Sequence, residues 1–161
     1  MIGDKKGDGS SLMIQRDPTL LPRLEARLPM PLRILYVTRN PFDNISTAGL
    51  RGRRDRPLGD AVAGFKRRYA VSERIREQSI PGRFLDVRSG EFVADPTGEL
   101  DRICSFMELG ASRDYLEACA NIVNNRPSVT RGRVEWSDEA IEAVNRLIDR
   151  HDFLAGYSFE H

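Results

Sequence analysis

The stretch from Leu32 to Thr38, which runs directly into Arg39-Asn40-Pro41, constrains the fold more than any other part of the chain. Its residues are nearly all apolar or β-branched, a pattern typical of a strand buried on both faces of a parallel sheet. Asn40 suits a helix N-cap and Pro41 the first helical position, so a helix should follow at once. A buried strand that leads into a helix predicts an α/β fold.

The remaining sequence predicts one more strand and several helices. The second strand is expected over 83–88, and 3–11 is expected to be a loop because glycine and aspartate dominate it. Helices are predicted over 17–28 with Asp17 as N-cap, over 58–78, 95–110 and 113–123, and from the cap Ser137 onward. Two strands are too few for a complete doubly wound sheet, so part of the sheet is expected to be missing.

Length and charge favour one soluble domain over residues 1–161. The net charge is only +1, so the bulk electrostatics demand neither nucleic acid nor a membrane as partner. No apolar run approaches membrane-spanning length and the polar N-terminus is unlike a signal peptide, which predicts a cytoplasmic location.

Cysteine and histidine are too few for a four-ligand zinc site of the usual kind, so no metal is expected. Cys104 and Cys119 each lie on an apolar helical stripe. Both are predicted to be reduced core residues, with a disulfide as the alternative.

The end of the first strand is the best candidate for a binding site. Arg39 lies where ligands bind in open α/β sheets, beside a helix N-terminus that favours anions. Thr47 is one helical turn past Asp43, on the same face. The alternative is an ordinary capped helix in which Arg39 pairs with Asp43.

Three segments in order carry a family resemblance. Residues 39–47, with R-N-P-x-D and a hydroxyl eight positions after the arginine, resemble the 3′-phosphate-binding segment of sulfotransferases that use 3′-phosphoadenosine-5′-phosphosulfate (PAPS). The resemblance implies that Arg39 and Thr47 grip the 3′-phosphate. Residues 84–96 resemble a later strand-to-helix stretch of the family. Residues 127–136, here termed the basic loop, resemble a loop that closes over the nucleotide, with Arg131 as first and Arg133 as second candidate contact.

Gly3-Asp4-Lys5 resembles a segment of the carbohydrate-type members of this family. The resemblance implies Asp4 as the base that removes the acceptor's proton and Lys5 as an electrostatic partner of the transferring group. The alternative for both residues is a solvated tail.

The resemblance also implies what the chain should lack. The expected fold is a P-loop-type (sulfotransferase-like) parallel sheet flanked by helices, present as a partial, helix-rich C-terminal portion. Gly7 to Ser11 has glycines and hydroxyls but neither a preceding strand nor a following lysine, so it is not expected to bind the 5′-phosphosulfate. Without that half of the site, the isolated chain is expected to lose most catalysis and to self-associate through an uncovered sheet edge.

The implied activity is transfer of a sulfuryl group from PAPS to a hydroxyl or amine of a small-molecule or carbohydrate acceptor. The alternative is a non-catalytic module that holds an anion with the Arg39 pocket and the Arg51–Arg56 segment. That arginine-rich segment also fits a solvated turn, an acidic-substrate channel or, less well, a nucleic-acid patch.

Overall fold

The structure is a computed structural model and describes residues 7–51, 58–124 and 126–160. The predictions for Asp4 and Lys5, and for the arginine-rich segment beyond Arg51, lie outside the described residues.

Helices dominate and two strands lie among them, which confirms the predicted helix-rich α/β class. In chain order the elements are α1 (Gly7–Arg16), α2 (Leu20–Arg27), β1 (Ile34–Thr38), α3 (Pro41–Arg51), α4 (Leu58–Gln78), β2 (Phe84–Arg88), α5 (Ser89–Ala94), α6 (Pro96–Phe106), α7 (Arg113–Ala120) and α8 (Asp138–Arg150). Short 3₁₀ turns cover Arg131–Arg133 and Asp152–Leu154.

The two strands pair in parallel, as the sequence predicts. The register runs from Ile34 opposite Phe84 to Thr38 opposite Arg88, and α3 and α4 form the connection between the strands. Both strands therefore end at the same edge of the sheet. That edge carries the candidate site.

The predicted burial of β1 on both faces is wrong for the described residues. The ring of Tyr36 packs on one face, against Phe84 and Phe153 at centroid distances of 5.9 and 5.5 Å. On the opposite face, Leu35 is 40% and Val37 66% exposed. Helices α5 and α6 pack against the neighbouring strand β2, whereas Leu35 and Val37 of β1 stay exposed.

The main hydrophobic core lies where α3, α4 and α8 meet. Its buried members are Phe42, Ile45, Tyr69, Val144, Leu147, Ile148 and Leu154. Phe42 and Ile45 are fully buried in this core, so the first two turns of α3 are fixed against two other helices. The start of α3 is consequently a rigid platform for a site.

A second core corrects the prediction of a loop over 3–11. From Gly7 onward the chain is helical, and Ile14 of α1 is buried with Leu21, Val71 and Ile75. The glycines lower the helix propensity of this stretch, but packing against α2 and α4 overrides a local preference of that size. Gly7 to Ser11 therefore forms the first turns of a helix.

Other differences concern helix boundaries. Asp17 does not cap α2; Thr19 is the N-cap, and the Asp17 carboxylate instead accepts a hydrogen bond from the Thr19 N–H at 3.0 Å. Aspartate commonly makes such local turns, which compete with capping. The caps Asp95 and Ser137 are confirmed. Cys104 and Cys119 are free, as predicted, but only half-buried.

No helix in the described ranges is both long and apolar enough to cross a lipid bilayer.

Candidate anion site at the carboxyl end of β1

Asn40 fixes the N-terminus of α3 at the edge of the sheet. Its side-chain oxygen accepts a hydrogen bond from the Phe42 N–H at 3.0 Å, and its amide donates to the Ser158 carbonyl at 2.8 Å. The predicted N-cap role is therefore confirmed, because this bond satisfies an N–H that the helix itself cannot pair. The second bond ties the helix start to a distant part of the chain.

Arg39 projects between α3 and the basic loop. Its Nη2 donates to the Ser128 carbonyl and lies 3.4 Å from the Thr130 hydroxyl. The alternative interpretation paired Arg39 with Asp43, but the ion pair of Asp43 is with Arg131. The Arg39 guanidinium is therefore oriented by neutral oxygen atoms and has no carboxylate partner within residues 7–51, 58–124 and 126–160.

Thr47 and Thr130, the hydroxyl pair, lie beside Arg39. Their Oγ1 atoms are 3.0 Å apart, and they lie 2.7 and 2.8 Å, respectively, from the Asp43 carbonyl oxygen. Each hydroxyl carries one proton, so two protons serve three short oxygen contacts. One hydroxyl proton can thus be redirected to an incoming acceptor while the other stays on the Asp43 carbonyl.

The Asp43 carboxylate holds the basic loop against α3. Its Oδ1 accepts the N–H groups of Thr130 and Arg131 at 2.7 and 2.9 Å. Its Oδ2 lies 3.6 Å from Arg131 Nη1, and both side chains are largely buried. Trp136 further pins the loop by donating its indole N–H to the Arg131 carbonyl at 3.0 Å.

An aromatic tail, residues 153–159, crosses the same edge of the sheet. Arg88, the last residue of β2, donates to the Ala155 carbonyl and stacks 4.8 Å over the Tyr157 ring. The Tyr157 hydroxyl is 3.4 Å from the Thr38 hydroxyl at the end of β1. The tail therefore packs across the ends of both strands and forms one wall of the site.

A groove of about 1240 Å³ runs along β1 and reaches the site. Arg39 and Asn44 line one end, and Phe65, Tyr69 and Ser72 of α4 line the side. This volume is sufficient for a small organic ligand or a sugar.

The structure brings together three of the residues that sequence predicts for the site. Arg39 and Thr47 share contacts with Thr130, and Arg131 is the next residue along the loop. Arg133 lies on the same loop with an exposed side chain, while Asp4 and Lys5 lie outside the described residues.

Sequence reasoning missed Thr130, the loop-holding role of Asp43, and the tail. The dense aromatic residues Phe153, Tyr157 and Phe159 were the available signal for the tail, since such a segment is seldom left in solvent. Nothing in the sequence pairs residue 43 with the loop, because 87 residues separate Asp43 from Thr130.

The fold and this site together define an α/β protein with a cationic, hydroxyl-bearing pocket at the end of a parallel strand. A model of the sulfotransferase family matches residues 12–113, which is more than half of the chain. The chain therefore belongs to the sulfotransferase family. The match includes Arg39 and Thr47 and ends before the basic loop. Comparison with curated proteins gave no match, and neither did comparison with solved structures.

Proposed function

We propose that this chain binds PAPS, with the 3′-phosphate held at the start of α3, and transfers its sulfuryl group to a hydroxyl or amine acceptor. The observation that carries the proposal is the convergence of Arg39, Thr47 and Thr130 at the carboxyl end of β1. Because Arg39 and Thr47 lie within the part of the chain that matches the sulfotransferase family, the family's general activity and the chemistry of these two residues agree.

The residues present fit a phosphate group. Both hydrogen bonds of Arg39 within the described residues leave from Nη2, so Nη1 and Nε are available for a second acceptor. The hydroxyl pair can release one proton toward the same acceptor. A guanidinium and hydroxyls beside a helix N-terminus are donors that suit a phosphate oxygen.

The donor supplies the sulfuryl group, which forms a bond to the acceptor oxygen or nitrogen as its bond to the 5′-phosphate breaks. Adenosine 3′,5′-bisphosphate leaves, and the acceptor proton passes to a base, for which Asp4 is our candidate. Lys5 would stabilise charge on the transferring group. We assign the groove along β1 to a small-molecule or carbohydrate acceptor because it opens beside Arg39.

Within the proposed site the two loop arginines differ. The Arg133 side chain is exposed and is our candidate for a direct phosphate contact. The Arg131 guanidinium faces Asp43 and lies 3.5 Å from the Ser158 carbonyl, so it contributes through the position of the basic loop.

Titration calorimetry with adenosine 3′,5′-bisphosphate tests the proposal. Wild-type protein should bind the nucleotide, and Arg39→Ala should weaken binding by roughly tenfold to a hundredfold, the value of a charge-assisted hydrogen bond. Arg146→Ala is the matched control, because Arg146 is an exposed arginine of α8 paired only with Glu142 among the described residues. Equal binding by wild type and Arg39→Ala would contradict the assignment of the site.

Transfer of labelled sulfate from PAPS to a panel of hydroxyl and amine acceptors separates an enzyme from a binding module. Nucleotide binding with transfer supports the enzyme. Binding without transfer to any acceptor would leave the non-catalytic module as the better interpretation.

A further inference from the structure

Asp43 and Arg131 form a buried ion pair that joins α3 to the basic loop. Asp43 is only 4% exposed, and its carboxylate accepts two consecutive loop N–H groups besides facing the guanidinium. Such an arrangement is costly to bury, since a desolvated carboxylate must be fully satisfied to be tolerated. The free energy spent on burying this ion pair is offset only while the basic loop stays against α3, so the pair fixes the position of the loop.

We propose that the Asp43–Arg131 pair is a latch that positions the basic loop for recognition of the 3′-phosphate. The pair places the Thr130 hydroxyl where it contacts the phosphate. This inference rests on the proposed function. Asp43 and Arg131 are positioning residues, whereas Thr130 is a third donor to the anion beside Arg39 and Thr47.

The geometry shows how the latch acts on the site. The N–H groups of Thr130 and Arg131 bind one carboxylate oxygen, which sets the backbone so that the Thr130 hydroxyl meets Thr47 at 3.0 Å. The same placement brings the Ser128 carbonyl to Arg39. Releasing the latch would therefore remove the Thr130 hydroxyl and the support of the Arg39 guanidinium together.

Arg131 has a second effect, on charge. A carboxylate next to a phosphate site repels the ligand, and the repulsion is weakly screened where the groups are buried. The guanidinium of Arg131, 3.6 Å from Asp43 Oδ2, neutralises that charge. The loss of Arg131 should therefore weaken phosphate binding even though Arg131 does not contact the phosphate.

The test compares two nucleotides that differ only in the 3′-phosphate, adenosine 3′,5′-bisphosphate and adenosine 5′-monophosphate. We expect wild-type protein to prefer the bisphosphate, and Asp43→Asn to reduce that preference by roughly tenfold. Asn weakens the hydrogen bonds to the two loop N–H groups, because a neutral amide oxygen is a poorer acceptor than a carboxylate, and it breaks the ion pair with Arg131, so the basic loop is released. Loss of the carboxylate charge alone would act in the opposite direction and raise the preference, so a raised ratio would also contradict the proposal. A merely structural role would lower both affinities alike and leave their ratio unchanged.

Further variants distinguish the positioning role of Asp43 and Arg131 from the direct phosphate contact of Thr130. Arg131→Met should reduce the preference as Asp43→Asn does, and the double variant should lose little more than either, since coupled residues are not additive. Thr130→Ser should retain the preference and Thr130→Val should lose it. If Asp43→Asn does not fold, the affinity ratio measured in Arg131→Met tests the proposal instead. An unchanged ratio in a folded latch variant would overturn the proposal.

Tryptic cleavage after Arg133 tests the latch without any nucleotide. A released loop should be cut faster in Asp43→Asn than in wild type or in the Arg146→Met control. Absence of a bisphosphate preference in wild type, combined with faster cleavage in the variant, would overturn the proposed function and keep the latch. Equal cleavage rates would overturn the latch itself.

Discussion

Thr47 illustrates how much a single hydroxyl contributes to the site. Its Oγ1 contacts both the Asp43 carbonyl and the Thr130 hydroxyl. Thr47→Val keeps the shape but removes the donor, so we expect adenosine 3′,5′-bisphosphate to bind about tenfold more weakly. Thr47→Ser should bind within about threefold of wild type. Calorimetry on the two variants measures this, and weaker binding by Thr47→Ser but not by Thr47→Val would show that the methyl group, rather than the hydroxyl, matters.

Tyr69 makes a prediction about alkaline stability. Burial in the main core raises the pKa of Tyr69 well above its usual range. A raised pKa means that the contribution to stability is complete below the ordinary tyrosine pKa of about 10 and is lost as pH rises further.

We therefore expect Tyr69→Phe to lose less unfolding free energy than wild type between about pH 9 and pH 11. At pH 7 the two should agree within about 1 kcal/mol, because the ring packing is kept. Urea unfolding followed across this pH range measures both quantities. If wild type and Tyr69→Phe lost the same unfolding free energy between about pH 9 and pH 11, the raised pKa of Tyr69 would not be the cause of the alkaline loss.

At the scale of elements, the helices α3 and α8 offer a matched pair of caps. Asn40 caps α3 at the site, and Ser137 caps α8 by accepting a hydrogen bond from the Ala140 N–H at 3.3 Å. Removing either cap should lower the free energy of unfolding by about 0.5–2 kcal/mol. Only Asn40→Ala should also weaken bisphosphate binding, because only that cap orients the phosphate-facing helix. Denaturant titration and calorimetry on both alanine variants provide the check.

The elements that sequence predicted well are those with local signals. Pro41 and Ser137 mark helix starts by capping chemistry, and the strand over 84–88 follows a turn that Pro81 and Gly82 mark in the sequence. Packing decided the elements that were mispredicted. Burial of Ile14 against α2 and α4 favours a helix in a glycine-rich stretch, and the exposure of Val37 depends on how the other elements pack around the sheet, which the strand's own residues do not encode.

The site divides in the same way. Arg39 and Thr47 belong to one continuous segment, so spacing alone places them together. Thr130 reaches them only through contacts 83 to 91 residues apart in sequence, which no local pattern encodes. Long-range pairing of this kind is visible only after the chain has folded.

At the scale of the whole molecule, the exposed face of β1 predicts self-association. Among the described residues β1 pairs only with β2, so its other edge is open beside the exposed side chains of Leu35 and Val37. An open strand edge with apolar neighbours is a template for pairing with a second copy.

Val37→Lys should reduce this association because charged side chains on an edge strand block pairing. Ile122→Lys is the control, since Ile122 is 85% exposed and follows α7, outside both strands. Light scattering over a concentration series compares the three proteins. A monomeric wild type would contradict the role of the β1 edge. So would a decrease in self-association that is equally large in Val37→Lys and in Ile122→Lys.

The central claim is that Arg39 recognises a 3′-phosphate at the start of α3. Its most direct test is the ratio of calorimetric affinities for adenosine 3′,5′-bisphosphate and adenosine 5′-monophosphate, measured in wild type and in Arg39→Ala. The account predicts a preference for the bisphosphate of roughly tenfold or more in wild type, and its collapse to near unity in the variant. A wild type without preference, or a variant that keeps it, would contradict the account.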